Sequence, residues 1–202
     1  MKKNEIAPGI IVYENVIKNS HTLVNDIEDG IISAGLNWNN ASIYDEGGTG
    51  TTTKIDSKIR DTLTIGIPYY DKPINNYNNL KSTFFTNLSN LFLESFSSLE
   101  IDYKNQYGIH STWHDLYGIL KYGVGQKFVN HIDDHHEYHR RISTLYYLNE
   151  DYEGGEINFP RFDVSIKPKE NSMIIFPSTY TYNHSVSEIK KGTRYSIVSW
   201  LR

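Results

Sequence analysis

The stretch KFVNHIDD, residues 127–134, reads as a strand running to its end. Side chains two apart on a strand share a face, so His131 and Asp133 are expected to project together while Ile132 points away. An imidazole beside a carboxylate offers two ligands to a divalent metal, but H-x-D alone is a weak pattern and needs a third. The sequence around it has one texture. From Ile109 onward, short segments dense in Tyr, Val, Ile, Phe and Thr are broken by YGVGQ (122–126), NEDYEGG (149–155), KPKENS (167–172) and KKGT (190–193). Strands separated by such turns predict an antiparallel sandwich or barrel.

Upstream the period changes. After Ser20, a candidate N-cap, Leu23, Ile27 and Ile31 recur every four residues until Gly35. From Asn78 to Leu99, residues Leu80, Phe84, Leu88, Leu91, Phe92 and Leu99 keep helical spacing. Two amphipathic helices are expected, each packing one face on the sheet. Between them, Ile43 to Arg60 (IYDEGGTGTTTKIDSKIR) has loop composition, and a loop of that length in a compact domain is commonly functional. The chain is expected to form a single domain over residues 1–202. Residues 1–108 would supply supporting helices and a lid loop, and 109–202 the catalytic β core.

The 202 residues have a mass of 23.4 kDa, suited to one domain with a sizeable core. With no cysteine there is no disulfide, thiolate zinc site, iron–sulfur cluster or cysteine nucleophile, so metal or redox chemistry falls to the eight histidines and the carboxylates. A net charge of −4 and a pI near 6.0 argue against nucleic acid as a partner. No apolar run approaches the roughly 20 residues of a membrane span, and MKKNEIAPGIIVYENV at the start lacks a signal-peptide core. A soluble, cytoplasmic protein without a membrane partner is expected. Frequent Asn, Ile, Lys and Tyr suggest an AT-rich bacterial or viral genome. Nothing in the composition gives an oligomeric state.

His184, in TYTYNHSVSEIKKGTRYSIVSW (179–200), is the best candidate for the third ligand, and Arg194 follows ten positions later. If Arg194 opens the last strand, it shares a face with Ser196, Val198 and Trp200. A guanidinium clamps a carboxylate bidentately and keeps its charge when buried. Two histidines and one carboxylate on one face leave open positions on Fe(II), and a fixed Arg nearby suggests an acidic co-substrate. A rival zinc cluster at His135, His136 and His139, in DDHHEYHRR (133–141), would still need a fourth ligand, and a solvated rim loop is the simpler reading. Arg140 is expected to be exposed, on the face opposite Arg141.

The ordered set Tyr122, Gly125, His131, Asp133, Arg141, Thr144, Tyr147-Leu148-Asn149, Gly154-Gly155, Phe159, Pro168, Phe176, His184, Gly192, Arg194 and Trp200 resembles the Fe(II)/2-oxoglutarate dioxygenases of the prolyl 4-hydroxylase type. The likeness runs from Tyr122 to Trp200. It implies a mainly β fold with flanking α-helices, a double-stranded β-helix or jelly roll related to the cupins. By resemblance His131, Asp133 and His184 would hold Fe(II). Arg194 would bind the far carboxylate of 2-oxoglutarate, aided by Tyr122 and Tyr147, where collagen-type members use Lys for Arg194. Arg60, Arg141 and Trp200 would meet the substrate, with O2 as co-substrate and ascorbate as reductant. The implied activity is hydroxylation of prolyl residues in a peptide or protein, with release of succinate and CO2. Phe128 stands where collagen-type and algal relatives carry Tyr, and Ile157 where Thr is common, so the substrate is less constrained than the metal. A free amino acid or other small molecule is the alternative substrate, and a non-catalytic jelly-roll binding module the alternative class.

Overall fold

The computed structural model describes residues 1–44, 53–67, 83–111, 113–135 and 139–202. The first half carries β1 (Lys2–Ala7), β2 (Ile10–Glu14), α1 (Leu23–Ser33), β3 (Asn39–Asn40), β4 (Ile43–Tyr44), β5 (Thr53–Lys54), β6 (Leu63–Ile67) and α2 (Thr83–Tyr107). Then follow β7 (Tyr117–Tyr122), β8 (Phe128–His131), β9 (Ile142–Tyr147), β10 (Glu153–Gly154), β11 (Ile157–Phe159) and β12 (Val164–Ile166). The chain closes with β13 (Ser172–Pro177), β14 (His184–Val186), β15 (Ile189–Lys191) and β16 (Arg194–Leu201). An eight-stranded sheet has the order β1-β2-β13-β9-β16-β7-β6-β3, and a four-stranded sheet the order β12-β11-β14-β8. Both are antiparallel throughout. β4 with β5 and β10 with β15 form two short ladders beside them.

Strand alternation sorts the side chains of the large sheet into two cores. Ile11, Tyr13, Ile119, Tyr146, Ile175 and Ile197 face the helices, where they meet Leu23, Ile27 and Ile31 of α1 and Phe85, Phe92 and Phe96 of α2. The neighbouring positions Val12, Leu120, Leu145, Tyr147, Ile174 and Val198 face the small sheet and meet Ile157, Phe159 and Val186. β9 is therefore buried along its whole length, ISTLYY, because both of its faces are covered. Gly30 lets α1 approach α2, since a Cβ there would overlap the Phe84 ring. The result is helices on one sheet and a second sheet on its other side, a jelly roll of the kind implied by the resemblance.

The helix boundaries differ from the sequence expectation. Ser20 is buried in a 3-10 turn, Ser20–Thr22, and Thr22 takes the N-cap position of α1, its hydroxyl donating to Asp26 (2.8 Å) and accepting from no backbone amide. α2 passes Leu99 and runs to Tyr107, because buried Tyr103 continues the stripe of Phe92, Phe96 and Leu99. Residues 78–82, including Leu80, lie outside the described residues. β1, β2, β3 and β6, half the strands of the large sheet, come from the stretch read as helices and loop. Their pattern is faint: β1 is the polar edge KKNEIA, and β6 is the short LTIGI. Of the loop Ile43–Arg60, residues 45–52 lie outside the described set, and its far end is tied down by a bridge from Arg60 to Phe128. No described helix is long and apolar enough to cross a membrane.

Candidate functional site

β8 and β14 pair so that His131 and His184 stand directly opposite each other. The strand ends at His131, and Asp133 sits in the bend beyond it, still on the same side as His131. One ligand atom from each of the three lies within 4.8 Å of the others. His131 Nε2 is 3.6 Å from Asp133 Oδ1, and His184 Nε2 is 3.7 Å from Asp133 Oδ2. Each imidazole donates Nδ1–H to a carbonyl two residues back, His131 to Val129 (2.8 Å) and His184 to Tyr182 (3.1 Å). A carbonyl can only accept, so the tautomer is fixed and both Nε2 lone pairs face the carboxylate. Burial, reinforced by His131, pushes the His184 imidazole down to about 4, which keeps it neutral and able to coordinate.

Asp133 is held from behind. Ser143 of β9 donates to its Oδ2 (2.6 Å), and Ser143 in turn bonds Ser178 (2.8 Å). Burial alone would raise the Asp133 carboxyl, but His184, His131 and the Ser143 hydroxyl hold it well below the usual carboxylate range. One anionic oxygen donor set and two neutral nitrogens on one side suit a divalent transition metal with open positions toward the cleft. Ser143 carries no signal in the sequence beyond its strand parity with Leu145 and Tyr147.

Arg194, opposite Tyr122 in the β16–β7 pairing, is wholly buried and the largest such side chain in the chain's described part. Its Nε, Nη1 and Nη2 make no hydrogen bond. The rings of Tyr147 and Tyr122 lie 5.0 and 5.1 Å from its guanidinium carbon. The hydroxyls of Tyr147, Tyr152 and Ser196 are likewise buried without a partner. Burial pushes the Tyr147 phenol far up, so it stays a neutral donor. An ionised group left unpaired in an apolar interior is costly, and so many donors without an acceptor mark a chamber shaped for an anion. Both Arg194 and the triad line one cleft of about 1400 Å3.

The rim corrects one expectation about arginines. Arg141, expected to meet the substrate, is exposed, precedes β9 and does not line the cleft. Arg140, expected to be exposed, is half-buried and does line it. Its guanidinium lies 3.6 Å from the Trp200 ring centroid, pairs with Asp115 (3.4 Å) and donates to the Asp133 carbonyl (3.3 Å). Trp200 is on the cleft face of β16. Arg60 donates to the Ser42 carbonyl (3.1 Å) and covers the Phe128 ring at 5.0 Å, and that ring stacks on His131. Of the rival cluster, His135 lines the cleft, His139 is exposed and His136 lies outside the described residues.

Residues 117–202 match the model of the 2OG-Fe(II) oxygenase superfamily. Human prolyl 3-hydroxylase 2 is 41% identical over 66 residues, which is 30% of this chain and 9% of that protein. A PKHD-type hydroxylase of Prochlorococcus marinus is 38% identical over 85 residues, 39% of this chain and 38% of the relative. The chain thus spans well under half the length of these relatives. Among solved structures, a Pseudomonas putida prolyl-4-hydroxylase superposes with a TM-score of 0.70 at 17% identity, over 96% of this chain and 92% of that one. A Trichoplax adhaerens prolyl hydroxylase bound to a hypoxia inducible factor peptide gives 0.72 at 18%, over 96% and 83%. Those two likenesses speak for the fold, and the superfamily match for residues 117–202. Residues 117–202, on a jelly-roll fold that brings two histidines and an aspartate beside a buried arginine, thus carry the chain's similarity to the 2OG-Fe(II) oxygenase superfamily.

Proposed function

We propose that the chain is an Fe(II)- and 2-oxoglutarate-dependent dioxygenase that hydroxylates prolyl residues of a peptide or protein. The observation that carries this is the buried Arg194 with no acceptor, sharing a cleft with His131, Asp133 and His184. The donor set fits Fe(II), and the guanidinium fits the far carboxylate of a dicarboxylic co-substrate. Iron with 2-oxoglutarate and O2 would supply the oxidation: one oxygen atom goes to a substrate C–H, the other to succinate, and CO2 leaves.

The residues of the chain do the positioning. Val129 and Tyr182 carbonyls orient the two imidazoles, and Ser143 orients the carboxylate. Arg194, with Tyr122 and Tyr147, holds the far end of 2-oxoglutarate and so fixes the distance of its keto acid end from the triad. Leu120, Leu145, Val186 and Val198 wall the cleft with apolar surface that keeps water from the reacting atoms. Trp200 with Arg140 stacked on it, and Arg60 on Phe128, form the rim where a peptide would lie. The cleft is roomier than a five-carbon acid requires, and the names of the relatives favour a prolyl substrate.

Incubation with Fe(II), 2-oxoglutarate and a library of proline-containing peptides is expected to yield succinate together with a hydroxylated proline by mass spectrometry. Asp133→Ala should bring both to background in a protein that keeps its fold. Undiminished turnover in that variant would refute the triad. Succinate without peptide modification would move the reading to a free amino acid or another small molecule.

A further inference from the structure

The strongest group left unused lies beyond Arg194, in the turn DYEGG (151–155). We propose that Tyr152 donates its phenolic hydrogen directly to the distal carboxylate of the co-substrate, and that Lys167 strengthens it as a donor from behind the ring. This rests on the reading of the Arg194 chamber as a 2-oxoglutarate site and names a further residue in it.

Tyr152 is 5% exposed, and its hydroxyl has no hydrogen-bond partner. Two glycines bring it there. Gly155, at φ +67, has room for no side chain: a Cβ would stand 2.9 Å from Tyr152 Cε2 and 3.2 Å from Arg194 Cδ, so tyrosine and arginine pack on the same glycine. Gly192, at φ +78, gives way on the other side, where a Cβ would stand 3.1 Å from Tyr152 Cα. The phenol is near enough to Arg194 for each to perturb the other. Burial raises the Tyr152 phenol, so its hydrogen stays in place at neutral pH.

A guanidinium has only donors, and so Arg194 cannot accept that hydrogen. Tyr147 faces the same problem. The Arg194 nitrogens and the Tyr147 and Tyr152 hydroxyls are all left without a hydrogen-bond partner, and an acceptor-only ligand resolves them together. A carboxylate offers about four lone-pair sites, more than a bidentate guanidinium and one phenol fill. Lys167 Nζ sits 3.5 Å from the Tyr152 ring centroid, moored by the carbonyls of Tyr152 (2.9 Å) and Gly154 (2.7 Å). A cation on the ring face draws on its π electrons and makes the hydroxyl a better donor. A tyrosine serving only to fill space would need neither the hydroxyl nor the moored lysine.

The test is anaerobic calorimetric titration of the Fe(II)-loaded full chain with 2-oxoglutarate, and with pyruvate, a keto acid that lacks the distal carboxylate. Tyr152→Phe is expected to weaken 2-oxoglutarate about tenfold, the scale of a hydrogen bond to a charged group, and to leave pyruvate unchanged. Lys167→Met should weaken 2-oxoglutarate by a smaller factor, and adding it to Tyr152→Phe should cost nothing more. The metal-free Tyr152→Phe protein should melt no lower than wild type, since only an unbonded hydroxyl is removed. Wild-type affinity in Tyr152→Phe, or an equal loss for pyruvate, overturns the role of Tyr152 alone. Failure of the wild type to bind 2-oxoglutarate overturns this proposal and the reading beneath it.

Discussion

The two faces of the eight-stranded sheet carry the same residue types and treat them differently. On the helix side, Tyr13 donates to Asp102 (2.7 Å), Tyr146 to Asn171 (3.0 Å) and Tyr195 to Glu28 (2.6 Å). On the cleft side, one position along β9 from Tyr146, the Tyr147 hydroxyl has no hydrogen-bond partner, nor do the Arg194 nitrogens, the Ser196 hydroxyl and the Trp200 Nε1. An unpaired buried polar group costs about 1–3 kcal/mol, so the cleft face gives up stability that the helix face keeps. The difference bears on function: alternation along a strand sends one residue into a closed core and its neighbour toward the cleft, where the proposed ligand would complete it.

The largest effect that sharpens this contrast belongs to the helix face. Phe96→Ala, deleting a ring stacked on Phe92 and packed on Tyr146, should cost about 3–5 kcal/mol in chemical denaturation while leaving any folded fraction able to bind 2-oxoglutarate. Arg194→Met should do the reverse. It removes the clamp and should weaken 2-oxoglutarate about a hundredfold or more, yet the ligand-free protein should be as stable as wild type or more so, since an unpaired buried charge is gone. A large loss of stability in Arg194→Met would break the contrast.

Smaller effects come from the adjacent tyrosines. Tyr146→Phe should destabilise by about 1 kcal/mol, the worth of its bond to Asn171, whereas Tyr147→Phe should leave stability unchanged or raise it and weaken co-substrate binding. Equal melting shifts in the pair would contradict the account. The smallest effect is a pH slope on the helix side. His114 bonds buried Glu100 (2.9 Å), and although burial works against the charged imidazole, that carboxylate raises it above its ordinary value of 6.5. A raised folded-state value means the contribution is complete below that ordinary value and fades as pH climbs through the raised one. Stability measured across that range should fall in wild type and flatten in His114→Gln.

The parts of the molecule visible in the sequence are those where one strong periodicity acts alone. Arg194, Ser196, Val198 and Trp200 alternate within a single long strand, and the H-x-D spacing holds even though β8 ends at His131. Extrapolation past a strand end fails: Arg141 lies before Ile142, so its side chain takes no part in the alternation, and Arg140 reaches the cleft instead. β1 and β2 escape notice because one is a polar edge strand and the other five residues long, and only the pairing of β2 with β13, and of β1 with β2, gives them a place. Tyr152 hides in a turn motif, where its sequence neighbours explain the glycines but not the phenol. Ser143 looks like any strand serine until Asp133 is folded against it.

The unsatisfied donors around Arg194 and the triad of His131, Asp133 and His184 are proposed to form a single site for Fe(II) and 2-oxoglutarate. Anaerobic addition of 2-oxoglutarate to the Fe(II)-loaded chain, followed by visible absorption, tests it most directly. A weak charge-transfer band that saturates with 2-oxoglutarate in wild type, needs far more ligand in Arg194→Met and is absent in Asp133→Ala is the predicted result. A wild-type protein that binds Fe(II) and shows no such band, or a band indifferent to Arg194, would contradict it.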